Sequence, residues 1–148
     1  MTTIKSYTDI SQSKKLAEFL PLESADMFYN GVQDLDKEMA FNIPIDGRTI
    51  TVRTGHIITE KGIKANLLLP CWSLAALLNI LPIVYTNNKK EVCGPLHIDI
   101  TDSETPFVLW YVNPLHKGNI VEIQTKEYDN MIDACVEMVL KLHKQKLI

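Results

Sequence analysis

A histidine and an aspartate, His97 and Asp99, flank Ile98 in a stretch that alternates polar and apolar residues. Period-two alternation describes a half-buried strand, so both side chains fall on one face, the wet one. An imidazole beside a carboxylate there is the raw material of proton transfer. A solvated strand face accounts for the pair equally. Cys93 lies four residues before His97, and with Asp99 it forms a local grouping of metal-ligand types. Zinc takes three or four ligands, usually with a recognisable second pair. His56, His116 and His143 offer further ligands, but no spacing calls for them.

Asp129, Asp133 and Glu137 stand four residues apart and share one face of a predicted helix. Close carboxylates can split their pKa values and serve as acid and base. An acidic first turn facing solvent explains the same spacing. An enzyme or ligand-binding site in this chain would take the form of a cleft near Asp26, His97, Asp99 and Asp133. Ser73 begins an apolar helical run with no G-x-S-x-G elbow around it, so it reads as a cap rather than a nucleophile.

Several activities lack their sequence basis. The six glycines are scattered, and neither a Walker-type loop nor a G-x-G-x-x-G fingerprint occurs. The net charge of −3 and the pI near 5.8 oppose a nucleic-acid binder, which usually shows a basic stripe. Lys141, Lys144 and Lys146 gather near the C-terminus, where they suit the negative end of a helix dipole. No cofactor is indicated. Met1-Thr2-Thr3-Ile4-Lys5 lacks the apolar core of a signal peptide. Three cysteines, Cys71, Cys93 and Cys135, make no secreted disulfide framework, so a cytoplasmic location is expected.

The elements that must position these residues follow from patterning. At 148 residues, with 46% hydrophobic and 22% charged, the chain suits one soluble domain spanning 1–148. Leu67 to Pro82 is uncharged and proline-bracketed, which predicts a central helix buried on nearly all sides, with Pro70 at its start. Its length, about 10 helical residues, falls short of the roughly 20 that cross a bilayer. A short helix near Ile10 to Phe19 is capped by Thr8 or Asp9 and stopped by Pro21. Met27-Phe28-Tyr29 is strand-like. Met39 to Ile45 and Arg48 to Thr54 flank Asp46-Gly47, the strongest hairpin cue in the chain. Ile57-Ile58 and Ile83-Val84-Tyr85 read as short strands.

Leu96 to Ile100 and Phe107 to Val112 form a second hairpin. The six successive apolar residues of its return strand imply burial on both faces and a central place in the sheet. Trp110 and Tyr111 must point to opposite faces; one could anchor a partner, but core packing on both sides is the favoured reading. Ile120 to Ile123 is a weaker strand. Met131 to Gln145 is an amphipathic helix capped by Asn130, with Ile132, Cys135, Val136, Val139, Leu140 and His143 on its apolar face. The class is α+β: a mainly antiparallel sheet of about four to six strands, packed with the central, N-terminal and C-terminal helices.

Three segments carry a resemblance: Ser11 to Leu16 with Ser24 to Met27, Pro70 to Leu78, and Ile132 to Met138. They resemble a set of small uncharacterised proteins of gut Bacteroides-type bacteria and their phages and mobile elements. The region from Met39 to Lys64 is longer than that pattern. The resemblance implies a bacterial or prophage source and a cytoplasmic location, and assigns no residue to a site. With no assembled catalytic set, the expected function is binding to another macromolecule, as a protein partner or through self-association. Phe107 to Val112 could pair across a two-fold axis if it lay at an edge.

Overall fold

The computed structural model describes residues 5–30, 40–45, 48–53, 56–58, 64–65, 68–115 and 120–148. Two compact units result: Thr8–Ser73, and the chain before it joined with Leu74–Ile148. The class is α+β, as patterning implies, but the strands do not make one sheet. Among the described residues they form four small antiparallel sheets, of two, three, four and two strands.

In the first unit, α1 (Ile10–Ala17) is opened by a reciprocal capping box. Asp9 accepts from the Gln12 backbone N–H at 2.8 Å, and the Gln12 side chain accepts from the Asp9 N–H at 3.1 Å. Strand β1 (Met27–Asn30) pairs with β6 (Leu68–Cys71), with Phe28 opposite Pro70. Pro70 thus lies in a strand, not at a helix start. A two-stranded ribbon has only edge strands, where a residue without an N–H is tolerated. Between them β2 (Ala40–Ile45), β3 (Arg48–Arg53), β4 (His56–Ile58) and β5 (Lys64–Ala65) form a meander. Ile45 opposite Arg48 fixes the register expected of a two-residue loop. Asp46-Gly47 itself lies outside the described residues.

The second unit holds α2 (Leu74–Ile80), β7 (Tyr85–Thr86), β8 (Val92–Cys93), β9 (Leu96–Ile100), β10 (Phe107–Asn113), β11 (Ile120–Gln124) and α3 (Met131–Lys144). The sheet order is β11-β10-β9, so the apolar β10 is central, as its composition requires, and cannot pair across a two-fold axis. The Asn130 side chain caps α3, accepting from the Asp133 N–H at 2.8 Å. Helix α3 packs against both β10 and α2. Its buried surface therefore widens to Ile132, Ala134, Cys135, Val136, Met138, Val139 and Leu142, while Leu140 is half-buried and His143 exposed.

The leucine-rich helix is buried on one side only. Leu77 is fully buried and Ala76 and Leu81 nearly so, but Ala75, Leu78 and Asn79 are exposed. Seven residues are too few to be enclosed all round by one packing partner. The expected strand at Ile83-Val84-Tyr85 is displaced to Tyr85–Thr86, leaving Ile83 75% and Val84 50% exposed. The Ile83 carbonyl accepts from the Leu96 N–H at 2.9 Å, which ties this segment to the start of β9.

Gly94 makes that close approach possible. Its φ is +137°, and a Cβ there would lie 2.8 Å from both the Ile83 carbonyl oxygen and Val84 Cγ1. A side chain would combine backbone strain with a clash against main chain that cannot yield. Gly94→Ala is expected to lower stability by about 2–3 kcal/mol, read as a fall in denaturation midpoint at unchanged m-value. An unchanged midpoint would show that the segment relaxes freely.

Candidate interaction site

The three-stranded sheet places the sequence candidates on two faces. Register pairs His97 with Trp110, Asp99 with Val108, Ile98 with Leu109 and Ile100 with Phe107. Opposed residues in an antiparallel pair share a face. His97, Asp99, Val108 and Trp110 therefore lie together, and Ile98, Ile100, Phe107 and Leu109 lie on the other side with Tyr111. That second face meets α3: Leu109 and Tyr111 are fully buried, and Ile123 nearly so.

On the first face the His97 and Trp110 rings stack, with centroids 4.1 Å apart and planes 13° from parallel. The Trp110 indole N–H donates to Asp99 Oδ2 at 2.9 Å. Asp99 is exposed, and His97 and Trp110 are half-buried. The arrangement is an aromatic shelf with one carboxylate at its rim. The expected burial on both faces of β10 holds for Tyr111, whose hydroxyl donates to the Pro82 carbonyl at 2.6 Å, while Trp110 is only half-buried.

The feature that alternation alone did not reveal is the outer edge of β9. Thr101 N–H donates to the Pro106 carbonyl, while Phe107 and Leu109 direct their main-chain groups to Tyr128 and Thr125. In an antiparallel ladder this alternation turns the main chain of His97 and Asp99 toward β10, and that of Leu96, Ile98 and Ile100 outward. Leu96 is met by Ile83. Among the described residues nothing pairs with the outward groups of Ile98 or Ile100. Their side chains, expected to be covered, are 39% and 71% exposed, because α3 covers the sheet at β10 and not at its rim. Strand order decides this, and strand order is not written in a hydrophobic period.

The remaining candidates are committed locally. Asp26, in the Thr8–Ser73 unit, accepts from the Ser73 N–H at 2.9 Å and from its hydroxyl. Burial opposes its charge, but these two bonds together with one from its own backbone N–H outweigh it and hold its pKa below the usual carboxylate value. Asp133 accepts from Lys5 Nζ at 2.7 Å and from the Asn130 carboxamide at 2.7 Å. Among the described residues, none of the His, Cys, Asp and Glu side chains gather in a group of three or more fit to hold a metal. His116 and the side chain of His56 lie outside those residues. Burial raises the pKa of all three thiols, aided at Cys71 by Asp26 and pushing Cys135 up to about 12. Thiols so held are poor nucleophiles and ligands.

Tyr85 is buried with its ring edge-on to Tyr111, centroids 5.0 Å apart. Among the described residues its hydroxyl finds no partner in hydrogen-bonding geometry, and it lies beside the Cys93 thiol. A shallow depression of about 470 Å³ runs along Glu122–Gln124 and the end of α3 at Lys141, Lys144 and Gln145. Most of these side chains are exposed, and among the described residues no buried polar group converges on it.

Glu137 carries a pH effect of definite sign. Partial burial disfavours its charge, but bonds from Tyr128, Lys141 and the Lys126 N–H prevail and lower its pKa. A depressed folded-state pKa adds stability that is present above the unfolded value of about 4.5 and is lost as pH falls through the folded value. Glu137→Gln is expected to flatten the stability profile below about pH 4.5, measured by urea unfolding between pH 3 and 7. Equal slopes in both proteins would remove Glu137 from the acid limb. No family model matches the chain, and no curated protein or solved structure matches it.

Proposed function

We propose that this is a non-enzymatic binding protein that docks another macromolecule on the outer edge of β9 and the adjoining Trp110 shelf. The observation that carries the reading is the combination at Ile98 and Ile100. Apolar side chains and outward main-chain groups are presented together on an edge strand, a form that extended segments of other proteins complete by strand addition. Nearby Trp110 supplies the residue type most often found as an interface anchor. No helix among the described residues is long and apolar enough to cross a membrane. A cytoplasmic accessory protein of a phage or mobile element agrees with the resemblance of the Pro70 to Leu78 and Ile132 to Met138 segments.

The enzymatic alternative has less support. Asp26 and Asp133 are tied to Ser73 and Lys5, and Asp99 is tied to the indole of Trp110. Affinity capture from the source organism with wild-type protein and with Ile100→Lys tests the binding reading. The expected result is a stoichiometric partner whose recovery falls about tenfold or more with the variant, while thermal stability is retained. Equal recovery by both proteins moves the interface elsewhere. If no partner and no self-association are found, the binding role goes.

A further inference from the structure

The β9 edge selects its occupant by charge, an inference that rests on the docking role just proposed. We infer that the site takes an extended segment of a different protein in which apolar side chains alternate with Lys or Arg. Residues 96–113, the whole β9–β10 hairpin, contain Asp99, Asp102 and Glu104 and no Lys or Arg. These three charges equal the formal net charge of −3 of the entire chain. All three side chains are exposed, and they lie along the strand and at its turn. An added strand would lay one set of its side chains beside Ile98 and Ile100. Its alternate set would lie beside Asp99, on the face of the Trp110 shelf. The first set must be apolar, and the second meets a negative rim.

A second copy of this chain fits poorly, and the register shows why. Antiparallel pairing centred on Ile98 would set the copy's Ile100 opposite Leu96, whose outward N–H already holds the Ile83 carbonyl. Centring on Asp99 would oppose that carboxylate to its own twin, a destabilising pair. Centring on Ile100 would lay the bent turn at Asp102 against Ile98. In every case two acidic hairpins meet.

The test titrates the full, isotope-labelled protein with two blocked heptapeptides, one alternating valine with lysine and one alternating valine with glutamate. The amide resonances of Ile98 and Ile100 are followed. The valine–lysine peptide is expected to shift both amides, and the glutamate peptide to bind at least about tenfold more weakly. The double substitution Asp99→Asn with Asp102→Asn leaves a hydrogen-bond acceptor for Trp110. It should weaken the lysine peptide about fivefold and abolish most of its salt dependence. Equal binding of both peptides overturns the charge selection while leaving the edge as a docking site. No shift with either peptide overturns both. Sedimentation showing a dimer that protects the Ile98 and Ile100 amides from exchange also overturns the inference, because the occupant would then be a second copy.

Discussion

The Leu74–Ile148 unit depends on the seating of β10 against α3. Leu109 and Tyr111 are fully withdrawn from water, and so are Cys135, Met138, Val139 and Leu142 on the helix. Full burial of a side chain of this size contributes about 1.5–3 kcal/mol, so this contact outweighs any single hydrogen bond in the unit. It also fixes geometry. With β10 under α3, its neighbours β9 and β11 become the sheet's rims. The Trp110 shelf then faces away from the helix because Tyr111 faces toward it.

Buried polar groups reinforce that arrangement. Buried Thr125 sits beside β10, just past the end of β11, its N–H donating to the Leu109 carbonyl and its hydroxyl accepting from the Leu109 N–H. Asn113 donates to Glu91 at 3.1 Å, and Asn87 accepts from the Lys89 and Glu91 N–H groups, holding the loop between β7 and β8. In the Thr8–Ser73 unit, buried Thr8 exchanges backbone and hydroxyl bonds with Trp72 and shares its hydroxyl with Ser13 at 2.7 Å. A buried polar atom left unpaired costs about 1–3 kcal/mol, so such closure favours one arrangement of the chain over its neighbours.

Local signals were legible and three-dimensional ones were not. The Asp9 and Asn130 caps, the Ile45–Arg48 register and the central place of β10 follow from residue types and short spacings. Pro70 misled because a proline before an apolar run suits a helix start, and only the long-range pairing of Phe28 with Pro70 reveals a strand. The leucine run overstated burial because composition does not say how many neighbours a short helix finds. His97 and Asp99 were legible as a pair on the wet face. Their link through the Trp110 indole was not, since it is made across strands that share no local pattern. The exposed edge of β9 was hidden for the same reason: Ile98 and Ile100 read as covered until the position of α3 is known.

Magnitudes limit what the β9 edge can do alone. Ile98 is already more than half covered, so burying the rest of both isoleucines gains less than the roughly 3–6 kcal/mol of two full burials. Main-chain bonds from two residues add about 0.5–1.5 kcal/mol each, after exchange with water. Association itself costs some 4–15 kcal/mol in lost freedom. The edge by itself therefore supports only weak, rapidly reversible contact, and short exposed edges of this kind do not aggregate readily. Useful affinity requires a partner that also covers Trp110 and His97, whose stacked rings offer a rigid apolar surface without further ordering cost. The carboxylate of Asp99 stands between shelf and edge. In the proposed docking role, it is the position at which a partner's charge decides whether both surfaces are used together.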